Sequence, residues 1–326
     1  VDQSPFASVP NIRLISEEVV GEHQLFSPSD FLIIGSSILV IDDHTEAFIR
    51  VFDYSGNLMT EFGEKGEGPE EFIGPRQLFR GNESGIFWVY DSQTRKAKKY
   101  HIDDILKGER SPRRITVLSE GAGIPFQLAA LPDDELLGIG IFYKGRISHY
   151  NRDGTVIGKI GQIPVEDPGE FAPQHSHGYD GNLDFDPERN VVMVAPRLGS
   201  VAELFNLKGE KVSEIFGPEV FYPDYDIVPV EGTGYFSMTY NKKSRFGFLE
   251  VSFSAKNKAW YLLYSGKERS SGKNPNYGKT IVSVDTSSRL LAKYSLDLPI
   301  IELDVDSMGT LFAMGESSIV KLNPVD

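Results

Sequence analysis

A unit recurs along this chain, and its spacing limits the available folds more than any other feature. The unit is an apolar strand ending on an aromatic or aliphatic anchor, then a short polar turn, then a second strand. It reads Phe52-DYSGNLMTEFG, Tyr150-NRDGTVIGKIG, Phe205-NLKGEKVSEIFG and Val284-DTSSRLLAKYSL, with a weaker copy from Tyr100 and a truncated one at Leu322. The six anchors are separated by 48, 50, 55, 79 and 38 residues. A four-stranded propeller blade takes ~40–50 residues, so every gap but the one of 79 holds about one blade. The long gap requires an insertion, placed at about 219–245. Helical periodicity is almost absent, with one turn at Asp103–Lys107 as its best case. Elsewhere short runs such as Ile38–Asp42, Ile86–Tyr90, Val191–Ala195 and Trp260–Tyr264 alternate with Gly, Asp, Asn or Pro, the pattern of many short strands.

Two further strands precede each anchor. Leu183-DFD and Leu303-DVD end in Asp-x-Asp, which predicts a tight turn held by Asp side chains; a calcium site on Asp184/Asp186 or Asp304/Asp306 is the alternative. After Leu322 only Asn323–Asp326 remain, so the last unit lacks its fourth strand. The N-terminal Asn11-IRLISEEVV has no other partner, and pairing the two ends removes an open sheet edge. The sequence therefore predicts an all-β, six-bladed β-propeller of four-stranded antiparallel blades. Its ring is closed by an N-terminal strand near Ile12–Val19 that completes the last blade. Residues 1–10 form a flexible lead-in and 11–326 a single domain. A seven-bladed ring, with 219–258 as its own blade, is the runner-up.

Composition removes several function classes. With 40% hydrophobic residues and 11% aromatics there is enough apolar surface for a core. The absence of Cys excludes disulfides and thiolate chemistry. A formal net charge of -14 argues against nucleic acid as partner. The longest apolar run, Phe31–Ile41, is 11 residues and is broken by Gly35-Ser36-Ser37, too short for a transmembrane segment, which needs about 20. The chain starts at Val1 rather than Met, so a processed or trimmed form whose targeting segment has been removed is expected.

The junction Gly63-EKGEGPEEF-Ile73, a Gly-rich turn ending Gly-Pro-x-x-Phe, resembles those of NHL-type six-bladed propellers. The runs Lys258–Glu268 (KAWYLLYSGKE), Ile281-VSVD and Leu291-AKYSLD are similar to late blades of the TolB-like six-bladed propeller family. The resemblance spans nearly the whole chain and departs at Val284-Asp-Thr-Ser-Ser-Arg, where Phe-Asp-x-x-Gly is expected. It implies a binding scaffold and an export address, periplasmic or cell-surface, as in the exported lipoproteins of Bacteroidota, with lipid anchoring through a segment before Val1. It supplies no catalytic residues and no cofactor.

The candidate site residues lie in loops at one face of the ring. The loops joining second and third strands contain His44, Arg95 and Lys96, Lys144 and Arg146, Arg197, and the stretch Lys267–Lys279. On a chain so acidic, such a collar would focus anions, and Arg suits bidentate capture of carboxylate or phosphate; ordinary loop-tip cations are the plainer reading. The loop leading into the second blade adds Arg76. The longest such loop, Ile163–Asn182, holds Gln174-HSHGYD. If extended, it would point His175 and His177 the same way, with Asp180 as a third ligand for zinc or iron. The glycines of GEKGEG predict positive φ at a blade crossover rather than a phosphate loop, because no Gly-Lys-Ser/Thr or helix follows. No Gly-x-Ser-x-Gly elbow occurs, and Ser176 between two His is not a triad by spacing. Aromatics cluster in the insertion at Phe221, Tyr222, Tyr225, Tyr235, Phe236 and Tyr240.

The expected function is that of an exported, monomeric, non-enzymatic binding propeller. Its partner would be a small anionic molecule, a glycan or an envelope protein segment at the loop face of the central channel. The alternative is a metal-dependent hydrolase or lyase using His175, His177 and Asp180. A structural part of an envelope complex, contacted through 219–245, is a third.

Overall fold

Strands that bury both faces read as unbroken apolar runs, and ILVID behaves this way. Ile38 and Val40 pack with Phe312 and Met314 on one side, while Leu39 and Ile41 pack with Phe87 and Val89 on the other. The computed structural model describes residues 5–43, 45–271 and 274–325. Strand β1 (Asn11–Val20) leads the chain. The first sheet is β2 (Pro28–Ile34), β3 (Ser37–Asp42), β4 (Ala47–Asp53) and β5 (Leu58–Glu64). The second is β6 (Pro75–Arg80), β7 (Ile86–Asp91), β8 (Lys96–His101) and β9 (Arg114–Val117), with the one-turn helix α1 (Ile102–Leu106) after β8. The third is β10 (Ile124–Ala130), β11 (Leu136–Ile141), β12 (Ile147–Tyr150) and β13 (Val156–Ile160). Helix α2 (Ala172–Gly178) then leads into the fourth, β14 (Gly181–Asp186), β15 (Val191–Pro196), β16 (Val201–Asn206) and β17 (Lys211–Phe216). The insertion is a two-stranded hairpin, β18 (Asp226–Pro229) with β19 (Phe236–Thr239). It is not the four-stranded sheet that a seventh blade would need.

The last strands are β20 (Phe248–Ser254), β21 (Ala259–Tyr264), β22 (Gly278–Asp285), β23 (Leu290–Ile300), β24 (Glu302–Val305), β25 (Leu311–Met314) and β26 (Ile319–Pro324). Strand β1 pairs antiparallel with β26, from Leu14 opposite Pro324 to Val20 opposite Ile319. The chain ends thus share one sheet, β24-β25-β26-β1. The same β1 also pairs parallel with β23, Asn11–Leu14 against Lys293–Leu296. This second pairing, absent from the sequence expectation, fuses the last two four-strand sets into one eight-stranded sheet. The β23 residues it uses, Lys293–Leu296, lie in the middle of an 11-residue strand, longer than its counterparts.

The first strands β2, β6, β10, β14, β20 and β24 touch one another in a closed cycle. The core lies between neighbouring sheets. Phe79, Trp88 and Tyr90 of the second sheet meet Leu128, Leu136 and Tyr150 of the third, for example. Each such side chain contributes about 1.5–3 kcal/mol on burial.

The repeated turn now has a physical account. After four of the six anchors, Phe52, Tyr150, Phe205 and Val284, the next residue is an Asp or Asn whose side chain caps the turn. Asp53 accepts from Ser55 and Asn57 N–H (2.8 and 2.9 Å), and Asn151 from Asp153 and Thr155 (3.1 and 2.9 Å). Asn206 and Asp285 do the same. The following Gly serves two purposes. Gly56 and Gly154 have φ of 77° and 82°, and a Cβ on either would sit 2.0 Å from a carbonyl, Val19 O or Val117 O. The turn of one sheet nests against the outer strand of the sheet before it. In the divergent copy Ser288 holds φ 67° without glycine.

Candidate functional site

Every first strand carries a charged or amide residue inside its apolar run: Asp30, Gln77, Gln127, Asp184, Glu250 and Glu302. These side chains line a bore of about 260 Å³ along the axis. Several stitch neighbouring sheets, whose first strands do not form ladders with one another. Asp30 accepts from Leu78 N–H. Gln77 both accepts from Leu128 N–H (2.7 Å) and donates to Leu128 O (3.0 Å). Asp184 accepts from Phe253 N–H (2.7 Å), and Asp304 from Ile33 N–H (2.7 Å). Asp304 also accepts from Arg80 Nη2 (2.7 Å) and Ser252 Oγ (3.1 Å).

The bore therefore holds more acids than bases. Its walls desolvate the carboxylates although the bore itself is open to water. Burial pushes Asp30 up to about 8 and Asp184 up to about 6, and it raises Glu250 and Glu302 as well. The Asp-x-Asp expectation divides between the two residues. Asp186 and Asp306 cap their turns, Asp186 accepting from Glu188 N–H (2.9 Å) and Asp306 from Met308 N–H (2.9 Å), whereas Asp184 and Asp304 face the bore. Among the described residues no three His, Asp or Glu side chains converge as a metal-ligand set.

The bore opens into a cavity of about 550 Å³ among the loops. Arg76 and Arg197 line it, with Asp30, Gln127 and Glu302 shared with the bore. Arg76 donates Nε to Phe126 O (3.1 Å) and lies over the Phe126 ring at 5.0 Å. Burial and then the charge of Arg197 lower its pKa. Arg197 is positioned by its backbone, which bonds Asp180 O (2.9 Å) and Gly247 N–H (2.7 Å). Among the described residues its side chain makes no hydrogen bond or ion pair within the protein.

The other candidates lie elsewhere. His44 is outside the described residues. Arg95 donates to Leu118 O (3.2 Å), Ser119 O (2.6 Å) and Gly123 O (2.8 Å), which clamps the second sheet to the third instead of facing the channel. Arg146 is 2% exposed. It bonds Tyr179 O, lies over the Tyr179 ring and approaches Glu203 at 3.5 Å, so it is internal. Lys267 donates to Asn274 O and Tyr277 O. Of the collar's guanidinium groups only Arg197 lines the cavity, joined there by Arg76 of an entry loop, because backbone carbonyls hold Arg95 and Arg146.

The His-x-His stretch is helical, not extended. Pro173 sits in the first turn of α2, where a fixed φ favours a helix start. Residues two apart on a helix diverge by about 200°. His175 Nδ1 meets Tyr225 Oη at 2.8 Å, while His177 packs against Phe126. Burial lowers both imidazole pKa values and raises that of Asp180. Ser176 is buried, donating to Gly140 O (2.6 Å) and accepting from Phe142 N–H (3.1 Å), which docks α2 on the third sheet. In GEKGEG only Gly63 has positive φ, 83°. Gly66 and Gly68 instead make room for the Glu71 carboxylate, which accepts from Gly68 N–H at 2.9 Å.

A cycle of sheets around a polar bore with a charged mouth defines a β-propeller, a fold that suggests a binding or scaffold role. The chain belongs to the TolB-like 6-blade propeller-like family, whose model matches residues 14–308. Such propellers are typically periplasmic or exported. No described helix is long and apolar enough to cross a membrane. The chain is similar in structure to a member of the DUF4221 family from Bacteroides vulgatus, at 8% identity and TM-score 0.59, covering 97% of this chain and 98% of that one. It is also similar to a streptogramin B lyase, at 11% identity and TM-score 0.52, covering 96% and 98%. At these identities the likeness is one of fold. No curated protein matches the sequence.

Proposed function

We propose that this chain is an exported, non-enzymatic six-bladed binding propeller whose ligand sits in the cavity at the loop mouth of the bore. The ligand is an anionic small molecule, glycan or protein segment. The closed cycle of six first strands supports the blade count. The observation that carries the site is the pair Arg76 and Arg197 in one cavity of about 550 Å³, neither in an ion pair among the described residues. Two like charges sharing a partly desolvated cavity repel, and an anion between them relieves that repulsion. The cavity volume suits a small ligand or a short protruding segment.

Thermal shift against a panel of carboxylates, phosphates and acidic glycans tests this. At least one anion should raise Tm in the native chain and not in Arg76→Gln/Arg197→Gln. A panel without effect, or effects that survive the double substitution, sinks the assignment.

A further inference from the structure

The mouth cavity offers more hydrogen-bonding groups than net charge. Ser29, Ser92, Gln93 and Gln127 line it, and among the described residues none of these four side chains makes a hydrogen bond within the protein. Gln77, the matching residue of the second sheet, uses both ends of its amide on Leu128; Gln127 has no such commitment. Asp30 and Glu302 hydrogen-bond each other, which requires a proton on one of them, because an ionised carboxylate only accepts. Burial raises both acids and so holds that proton at neutral pH. The guanidinium groups are not in surplus either. The buried Asp180 carboxylate lies within electrostatic reach of Arg76 and Arg197, and Asp43 lines the same cavity.

We propose that the mouth cavity binds a sugar acid, a uronic or aldonic acid, with its carboxylate on Arg76 and Arg197 and its hydroxyls on Gln93, Gln127 and the Asp30–Glu302 pair. This deepens the anion-site reading and rests on it. Two cations offset by two nearby carboxylates leave no excess for a dianion, whereas a single carboxylate still accepts the paired N–H groups of a guanidinium. Hydroxyl groups both donate and accept, and amides, serines and a protonated acid pair answer in both senses. An alkyl carboxylate suits the lining less well. Its tail would take water from these polar groups and return no partner, and the apolar side chains there are few, Phe48, Ile73 and Pro75. A monosaccharide fits within about 550 Å³, and Phe48 offers an apolar surface to the C–H edges of its ring.

Titration calorimetry on the whole chain with glucuronate, galacturonate and gluconate tests the proposal. Among the controls, glucose and galactose lack the carboxylate, cyclohexanecarboxylate lacks the hydroxyls, and glucose 6-phosphate carries a dianion. At least one sugar acid should bind about tenfold or more tighter than every control, the scale of one or two added hydrogen bonds. Arg76→Gln/Arg197→Gln should bring it to the level of the neutral sugars. Gln93→Ala/Gln127→Ala should weaken it about fivefold or more and leave cyclohexanecarboxylate unchanged. If cyclohexanecarboxylate or glucose 6-phosphate binds through the two arginines and no sugar acid does better, the anion site stands and this inference falls. If no probe binds, the inference falls, and the broader thermal-shift panel decides the anion site separately. A sugar acid whose affinity survives the loss of both amides overturns the inference alone; one that survives the loss of both arginines overturns the anion site with it. The native Tm of each variant confirms that it is folded.

Discussion

Asp304 is the sharpest place to test how the ring is held together. It is 6% exposed. It lies on β24 and accepts from the first sheet through Ile33 N–H, from the second through Arg80, and from β20 at the far edge of its own eight-stranded sheet through Ser252. Replacing it by Ala leaves the Ile33 N–H without an acceptor, a loss of about 1–3 kcal/mol for a buried donor. It also strips the carboxylate from Arg80. Loss of one partner of a fully buried ion pair costs about 3–5 kcal/mol. Arg80 keeps two carbonyl contacts and its side chain is 31% exposed, so its share falls below that range, to about 2 kcal/mol. The expected total for Asp304→Ala is about 3–5 kcal/mol. Unfolding entropy of roughly 2.1 cal/mol/K per residue over 326 residues converts this to a Tm drop of about 4–7 °C.

Asp304→Asn keeps the acceptor for Ile33 and should lose about half as much. A double-mutant cycle with Arg80→Met, read by urea denaturation, should return a coupling above about 1 kcal/mol. A loss under about 1 kcal/mol for Asp304→Ala, or a cycle additive within about 0.5 kcal/mol, would refute the idea that this carboxylate ties the sheets across the bore.

The acids of the bore predict an inverted pH dependence. Asp30 is raised to about 8 in the fold from about 3.9 in an unfolded chain, so the folded protein holds the extra proton between those values. Its contribution to stability is present at low pH and is lost as pH rises through about 8. Urea midpoints should fall from pH 5 to pH 8, less steeply in Asp30→Asn; a rise with pH that Asp30→Asn leaves unchanged contradicts the neutral-acid assignment. In the repeated turns, Gly154→Ala should lose more than about 2 kcal/mol, since it adds left-handed strain to a carbonyl clash, whereas Ser288→Gly should be neutral or stabilise by up to about 1 kcal/mol. Equal, small effects at both positions would mean that the nesting of turn on outer strand is energetically irrelevant.

Much of the scaffold was legible because its determinants are local. Asp53, Asn151, Asn206 and Asp285 cap turns within four residues of themselves, so the repeat and its anchors appear in the linear text. The pairing of β1 with β26 followed from counting strands, as an unfinished sheet has an edge to fill. The parallel pairing of β1 with β23 had no local signal. Pro173 in the first turn of α2 was a readable sign that His175 and His177 would diverge, and weighing it would have removed the premise of a shared His-x-His direction.

The candidate site depended on contacts that sequence distance conceals. Arg95, Arg146 and Arg197 occupy equivalent loops and look alike as letters, yet the first two are consumed by backbone carbonyls and a tyrosine ring, and only the third reaches the cavity. The polar residue in each first strand could have been noticed as out of place in an apolar run, but its meaning lies in the ring: Asp30 and Glu302 are 272 residues apart in the chain yet share a side-chain hydrogen bond in one cavity. Periodicity and turn chemistry, acting over a handful of residues, determined the four-strand sets and the pairing of the two chain ends. Which charges meet, and which are left unpaired, was decided only when the sheets closed around an axis, because electrostatic energy depends on distance through space and on the water that the fold excludes.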